Sequence, residues 1–196
     1  IVQSELWVLR ASETRIQALQ NNTKSLEFPD ALKEAAKLQP ELLKTMQSQL
    51  DLFNTQREGQ SGKLDSLNQR IEGIKEEIAG LQSQKKSTGS QLVLIKDELA
   101  GIQELYKEGM ATKPRLLELQ RTAEELKGNS GQYIAQIAKA EQSITETQMD
   151  VINLENDFAS KLAEESRDVR SKISDYEEKL RAATDVMNRT IITSPY

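Results

Sequence analysis

Apolar side chains recur in steps of three and four along two long stretches of the chain. From Leu50 the first series runs through Phe53, Arg57, Gln60, Leu64, Leu67, Ile71, Ile74, Ile78, Leu81, Lys85, Thr88, Leu92, Ile95, Leu99, Ile102 and Tyr106. All of these but Arg57, Gln60, Lys85 and Thr88 are apolar or aromatic, and the register never slips. The intervening positions are mostly Glu, Lys, Gln, Ser and Asn. A period near 3.5 held over so many turns is a coiled-coil seam. The second series holds one register through Leu116, Leu119, Ala123, Leu126, Ser130, Tyr133, Ile137, Ala140, Ile144, Thr147, Val151, Leu154 and Phe158. It then shifts to Leu162, Val169, Ile173, Tyr176, Leu180, Ala183 and Met187. The changed step across 158–169 reads as a stutter, which locally unwinds a supercoil.

Proline placement agrees with two long helices. The four prolines stand at 29, 40, 114 and 195. Because proline breaks helix interiors at ~3 kcal/mol, the spans 41–113 and 115–194 are free to be helical almost throughout. Between the two seams lies Gly109-Met110-Ala111-Thr112-Lys113-Pro114. Gly109 suits the left-handed position that ends a helix, Thr112 suits an N-cap, and Pro114 suits a first turn. A stop followed so soon by a start makes the chain reverse. The prediction is an all-α fold, a long antiparallel coiled-coil hairpin with arms 40–108 and 115–189 and a tip at 109–114. Each arm would measure on the order of 100 Å at ~1.5 Å per residue.

That reversal sets Leu99 against Ala123, Leu81 against Ala140, Leu67 against Leu154 and Thr88 against Tyr133. It also sets Arg57 near Glu164 or Glu165, where a cross-helix ion pair is expected. Residues 12–39 lead into the first arm as short helices: Ser12 caps a helix with Ile16, Leu19 and Leu26 on one face, and Phe28-Pro29-Asp30 breaks it. Leu6-Trp7-Val8-Leu9 and Thr190-Ile191-Ile192-Thr193 read as short β segments at the two chain ends, close enough at the hairpin base to pair.

Composition narrows the chemistry. The chain has 196 residues, 37% hydrophobic, 29% charged and 4% aromatic, with no His and no Cys. Histidine acid–base catalysis, Cys- or Ser-His nucleophiles, Cys/His zinc sites and disulfides are thereby excluded, and no catalytic, cofactor or metal site is expected. The net charge of −5 disfavours a nucleic-acid partner. No apolar run is long enough to span a bilayer, so direct membrane insertion by this segment is not expected. Adjacent carboxylates such as Glu124-Glu125 and Glu177-Glu178 diverge on a helix and form no acid–base pair. Tyr133 and Tyr176 fall on the seam and read as core. The nine glycines read as tolerated softening of the helices, or else as places where a neighbouring rod comes close.

A hairpin without a pocket acts through its tip, sides or base. At the tip Leu105, Tyr106, Met110, Leu116 and Leu117 gather apolar surface around a turn, either to close the hairpin end or to dock a partner. The segment from Leu105-Tyr106-Lys107-Glu108-Gly109-Met110 through Leu119 resembles the hairpin tip of periplasmic adaptor proteins. The stretch from Arg181 to Pro195 is similar to their return into a lipoyl-like lobe. Phe28-Pro29 and Leu52-Phe53…Arg57 resemble the type I secretion branch, the membrane fusion proteins that export haemolysin, proteases and lipases.

The resemblance implies residues 1–11 and 190–196 as strand remnants of a lipoyl-like lobe. It also implies an inner-membrane anchor outside this chain, a periplasmic hairpin, an ABC transporter as partner, an outer-membrane channel at the tip, and a homo-oligomeric ring, commonly of six. The family's tip pattern is Arg, Leu four residues on, and Ser or Thr seven further. Leu105 and Thr112 match it, but the Arg position holds Gly101, which moves the polar contact to Lys113 or Arg115. The implied interface is thus Leu105, Tyr106, Gly109, Met110, Thr112, Lys113 and Arg115. The rival reading is a structural coiled-coil tether that dimerises in parallel through the same heptads and transports nothing.

Overall fold

The computed structural model describes residues 2–190. Four helices follow in order: α1 Val2–Gln20, α2 Asp30–Leu38, α3 Pro40–Lys107 and α4 Lys113–Thr190. Two compact units result, one of Ile1–Leu64 with Ile152–Tyr196 and the other of Asp65–Val151.

The seam positions sort as the periodicity requires. Along α3 the named series is buried or half-buried except at Arg57, Lys85 and Tyr106. Along α4 every position of the first series, Leu116 through Phe158, is at least half-buried. Burial then continues through Leu162, Ser166, Val169 and Ile173, so the steps 154–158–162–166 are all fours. That run is the stutter. The tail of the shifted series departs from the expectation, since Ala183 and Met187 are exposed.

In the unit Asp65–Val151 the chain reverses between α3 and α4, and Arg115 of α4 bonds Glu98 of α3 across the arms. A parallel tether needs a continuous helix through this point, and the reversal removes it. The seam here has polar steps. Thr147 is buried with its hydroxyl donating to the Ser143 carbonyl at 2.8 Å, which satisfies it within its own helix.

The other unit is more than a two-helix base. One apolar cluster joins Ile16 and Leu19 of α1, Leu26 of the linker, Phe53 of α3, and Leu162, Val169 and Ile173 of α4. A second joins Ala11 of α1, Leu32 and Ala36 of α2, and Leu42 and Met46 of α3, with Trp7 and Phe28 packed on it. Helix α1 therefore lies along both arms as a third strand of helix, and residues 21–29 run back beside it to α2. Proline sets the breaks. Pro29 carries the carbonyl that starts α2, accepting from Leu32 and Lys33 N–H. Gln39, which precedes Pro40, is held extended (φ −133°, ψ 96°), so α2 and α3 cannot merge.

Several sequence expectations are corrected here. Leu6–Leu9 is helical rather than a strand. Leu6 and Leu9 pack on the first cluster while Trp7 packs on the second, so the run is apolar because α1 is wedged between two cores. A short apolar run by itself does not distinguish a strand from such a buried helical segment. Of the matching segment at the other end, Thr190 closes α4 and 191–193 lie outside the described residues. Ser12 caps nothing; it sits mid-helix and donates to the Val8 carbonyl at 3.2 Å.

Arg57 does not meet Glu164 or Glu165. It is exposed and donates to the Lys24 carbonyl at 2.9 Å, while Glu165 is taken by Arg15. A pairing rule for two helices misassigns these charges because a third helix occupies the groove between them. Within the chain, a Cβ built on any of the nine glycines meets nothing within 4 Å.

The hairpin tip as candidate interface

The turn is built from the end of α3 by a set of backbone bonds. Gly109 adopts φ +77°, in the left-handed region that glycine enters without steric penalty. Its N–H donates to the Tyr106 carbonyl at 3.1 Å, and the Met110 N–H donates to the Leu105 carbonyl at 2.8 Å. This is the Schellman pairing, which satisfies carbonyls that a helix end would otherwise leave open. Ala111 N–H also reaches the Leu105 carbonyl, at 3.2 Å. Thr112 then provides the first acceptor of α4, bonded by the Leu116 N–H at 3.3 Å. Asn22 (φ 50°) plays the part of Gly109 at the end of α1, where Thr23 N–H returns to the Ala18 carbonyl at 3.0 Å.

These bonds decide which side chains face outward. Leu105 and Tyr106, in the last turn of α3, are each 40% exposed, Met110 is 67% exposed and Leu117 is 44% exposed. Leu116 is half-buried and Leu119 is buried. The tip therefore divides: Leu116 and Leu119 close the hairpin, and the other four present apolar surface.

The two cations proposed as substitutes for the missing arginine differ in state. Arg115 donates to Glu98 at 2.5 Å across the arms and to Glu118 at 3.1 Å on its own helix. These bonds, that to Glu118 foremost and then that to Glu98, hold its guanidinium above the ordinary arginine range, so it stays cationic. Arg115 is a brace within the hairpin. Lys113, at the start of α4, is exposed and forms no ion pair among the described residues. At position 101, a side chain would extend into open space. Glu98 and Glu118 were not anticipated from the sequence, although the three-residue spacing of Arg115 and Glu118 on one helix was a readable signal.

The base holds a second network of charges that joins two helices. Arg10 donates to Glu13 at 2.7 Å and to Glu177 of α4 at 2.6 Å, and Arg170 stands 3.6 Å from the other oxygen of Glu13. The bond to Glu13, the larger influence, outweighs partial burial and holds Arg10 above the ordinary arginine range. Alternating signs thus tie α1 to α4.

The family described as AprE, long alpha-helical hairpin, matches residues 1–186. The chain belongs to this hairpin family. The AprE-type hairpin is 32% identical over 201 residues to the type I secretion system membrane fusion protein PrsE of Rhizobium meliloti (strain 1021). All of the chain is covered in that comparison but only 44% of PrsE, so the chain spans less than half of this curated relative. In fold it matches the crystal structure of the soluble domain of LipC, a membrane fusion protein of a type I secretion system, with a TM-score of 0.94. That match covers 100% of this chain and 73% of the LipC chain at 21% identity.

Proposed function

We propose that this AprE-type hairpin is the periplasmic arm of a type I secretion adaptor, and that its tip docks an outer-membrane channel. The observation that carries the reading is the exposure of Leu105, Tyr106, Met110 and Leu117 around a turn fixed by Gly109. Apolar side chains gathered on a braced turn form the kind of exposed patch that marks a docking surface. Docking is then chiefly apolar. Lys113 supplies an exposed cation beside it, Thr112 the neighbouring hydroxyl, and Arg115 shapes the tip from within.

The remainder of the protein, beyond this chain, would hold the inner-membrane anchor and lipoyl-like lobe and meet an ABC transporter. Copies would stand in a ring, six in number, through which unfolded substrates such as proteases or lipases pass. The part played by the hairpin is mechanical, not catalytic. The type I secretion relatives PrsE and LipC support the assignment.

Met110→Asp and Leu105→Asp in the full-length protein test the docking surface. Each should lower site-specific cross-linking to the channel by about tenfold or more, the effect of ~1.4 kcal/mol. Circular dichroism of the hairpin should not change. Secretion and cross-linking at native levels in both variants would overturn the assignment of the tip.

A further inference from the structure

Arg15 lies far from the tip in sequence and has no part in it. It is 1% exposed and is the one charged residue among the buried ones described. Its Nε donates to Gln49 Oε1 at 2.7 Å, its Nη1 to Gln56 Oε1 at 2.6 Å, and its Nη2 to Glu165. A single α1 side chain is therefore bonded twice to α3 and once to α4. Gln49 and Gln56 stand one heptad apart, on one face of α3.

Apolar packing alone leaves the seating of α1 partly degenerate. Val2, Leu9 and Ile16 repeat at heptad spacing. Moving α1 forward by one heptad keeps apolar residues at two packing positions, Leu9 where Ile16 packs and Val2 where Leu9 packs, while Ser12 falls where Leu19 packs and Ser4 where Ala11 packs. Val8 then replaces Arg15, and Gln49, Gln56 and Glu165 all lose their donor. Sliding α4 by a heptad fails in the same way. The place of Glu165 passes to Phe158, which accepts nothing, or to Lys172, which repels a guanidinium. An unpaired charge away from water is strongly disfavoured, a larger penalty than a small hydroxyl side chain in place of Leu19 or Ala11, whereas the Leu9 and Val2 exchanges are nearly neutral.

We propose that Arg15 is a register lock: it fixes where along the arms α1 is seated, and through Glu165 it ties that seating to one alignment of α3 and α4. Buried polar residues in helical bundles are a known means of selecting one register from several of similar packing energy. Arginine suits the role because its planar fork addresses three acceptors at once, which a lysine ammonium on one flexible stem does not.

The chain has no cysteine, so spin labels attached at Gln17→Cys and Lys44→Cys, both exposed positions, report the α1–α3 distance cleanly. With Arg15 present, a single distance is expected. Arg15→Met should add a second population displaced by several ångströms, up to about 10 Å for one heptad at ~1.5 Å per residue, with helicity retained. Arg15→Lys should show the same second population at lower weight. One native distance in a folded Arg15→Met chain overturns the proposal, whatever its melting temperature, because a merely stabilising side chain would lower that temperature without moving the label. If Arg15→Met does not fold, Arg15→Lys decides. A second population in it supports the lock, and a single native distance refutes it.

Discussion

Arg115, in the first turn of α4, donates at 2.5 Å to Glu98, which lies 17 residues earlier on α3. The bond closes the tip from inside and leaves the apolar residues above it uncovered. Both partners are largely solvent-exposed, so the pair adds little to overall stability and instead restrains the loop. Arg115→Met should accordingly leave the thermal midpoint of the chain unchanged within error. Amide hydrogen exchange across 108–116 should quicken. Unchanged exchange there would mean that the backbone bonds of Gly109 and Met110 hold the turn unaided.

Two glycine substitutions should act in opposite directions. Gly109 needs its positive φ, so Gly109→Ala is expected to destabilise the hairpin by about 1–2 kcal/mol. Gly59 is an exposed position inside α3 where a Cβ meets nothing, so Gly59→Ala should stabilise by about 1 kcal/mol. Urea unfolding of both variants beside the parent chain checks the sign of each.

Phe53 is fully buried where α1, α3 and α4 meet. Phe53→Ala should cost about 3–5 kcal/mol through lost burial and the cavity left behind. Leu43, on the same helix, is 59% exposed, and Leu43→Ala should change stability by less than about 0.5 kcal/mol. Thermal melts followed by circular dichroism separate the two outcomes.

Trp7 is the only tryptophan and packs on the cluster containing Leu32, Ala36, Leu42 and Met46. Leu32→Ala removes a buried side chain from α2 at a cost of about 2–5 kcal/mol and should loosen α2 from α1. The emission of Trp7 should shift to the red under native conditions. An unshifted spectrum would show that Trp7 is held by α1 and α3 without help from α2.

Much of the hairpin was legible before any coordinates, and the reasons are local. A seam held through α3 and α4, a proline-free path for each arm, and a glycine placed to end one helix just before a threonine and proline that begin the next are all consequences of neighbouring residues. Backbone sterics and a 3.5-residue period act over a few turns, and sequence displays them directly. The tip residues were readable for the same reason. Their division into Leu116 as filler, Arg115 as brace and Met110 as exposed surface was not, because it depends on what the opposite arm places beside each one.

At the base the tertiary structure decided nearly everything. Leu6–Leu9 carries the same apolar letters whether strand or helix, and only packing between two clusters makes it helical. Arg57 and Glu165 carry opposite charges, yet Glu165 pairs with Arg15 because α1 lies along both arms. Arg15 itself gives no periodic signal, being one of two arginines on α1 with nothing local to mark it as the buried one. Residues 15, 49, 56 and 165 are brought together by a three-helix crossing, and a contact over 150 positions leaves no trace in the local pattern. The sequence by itself determined two arms and a turn; the third helix that seats their base emerged only from long-range packing.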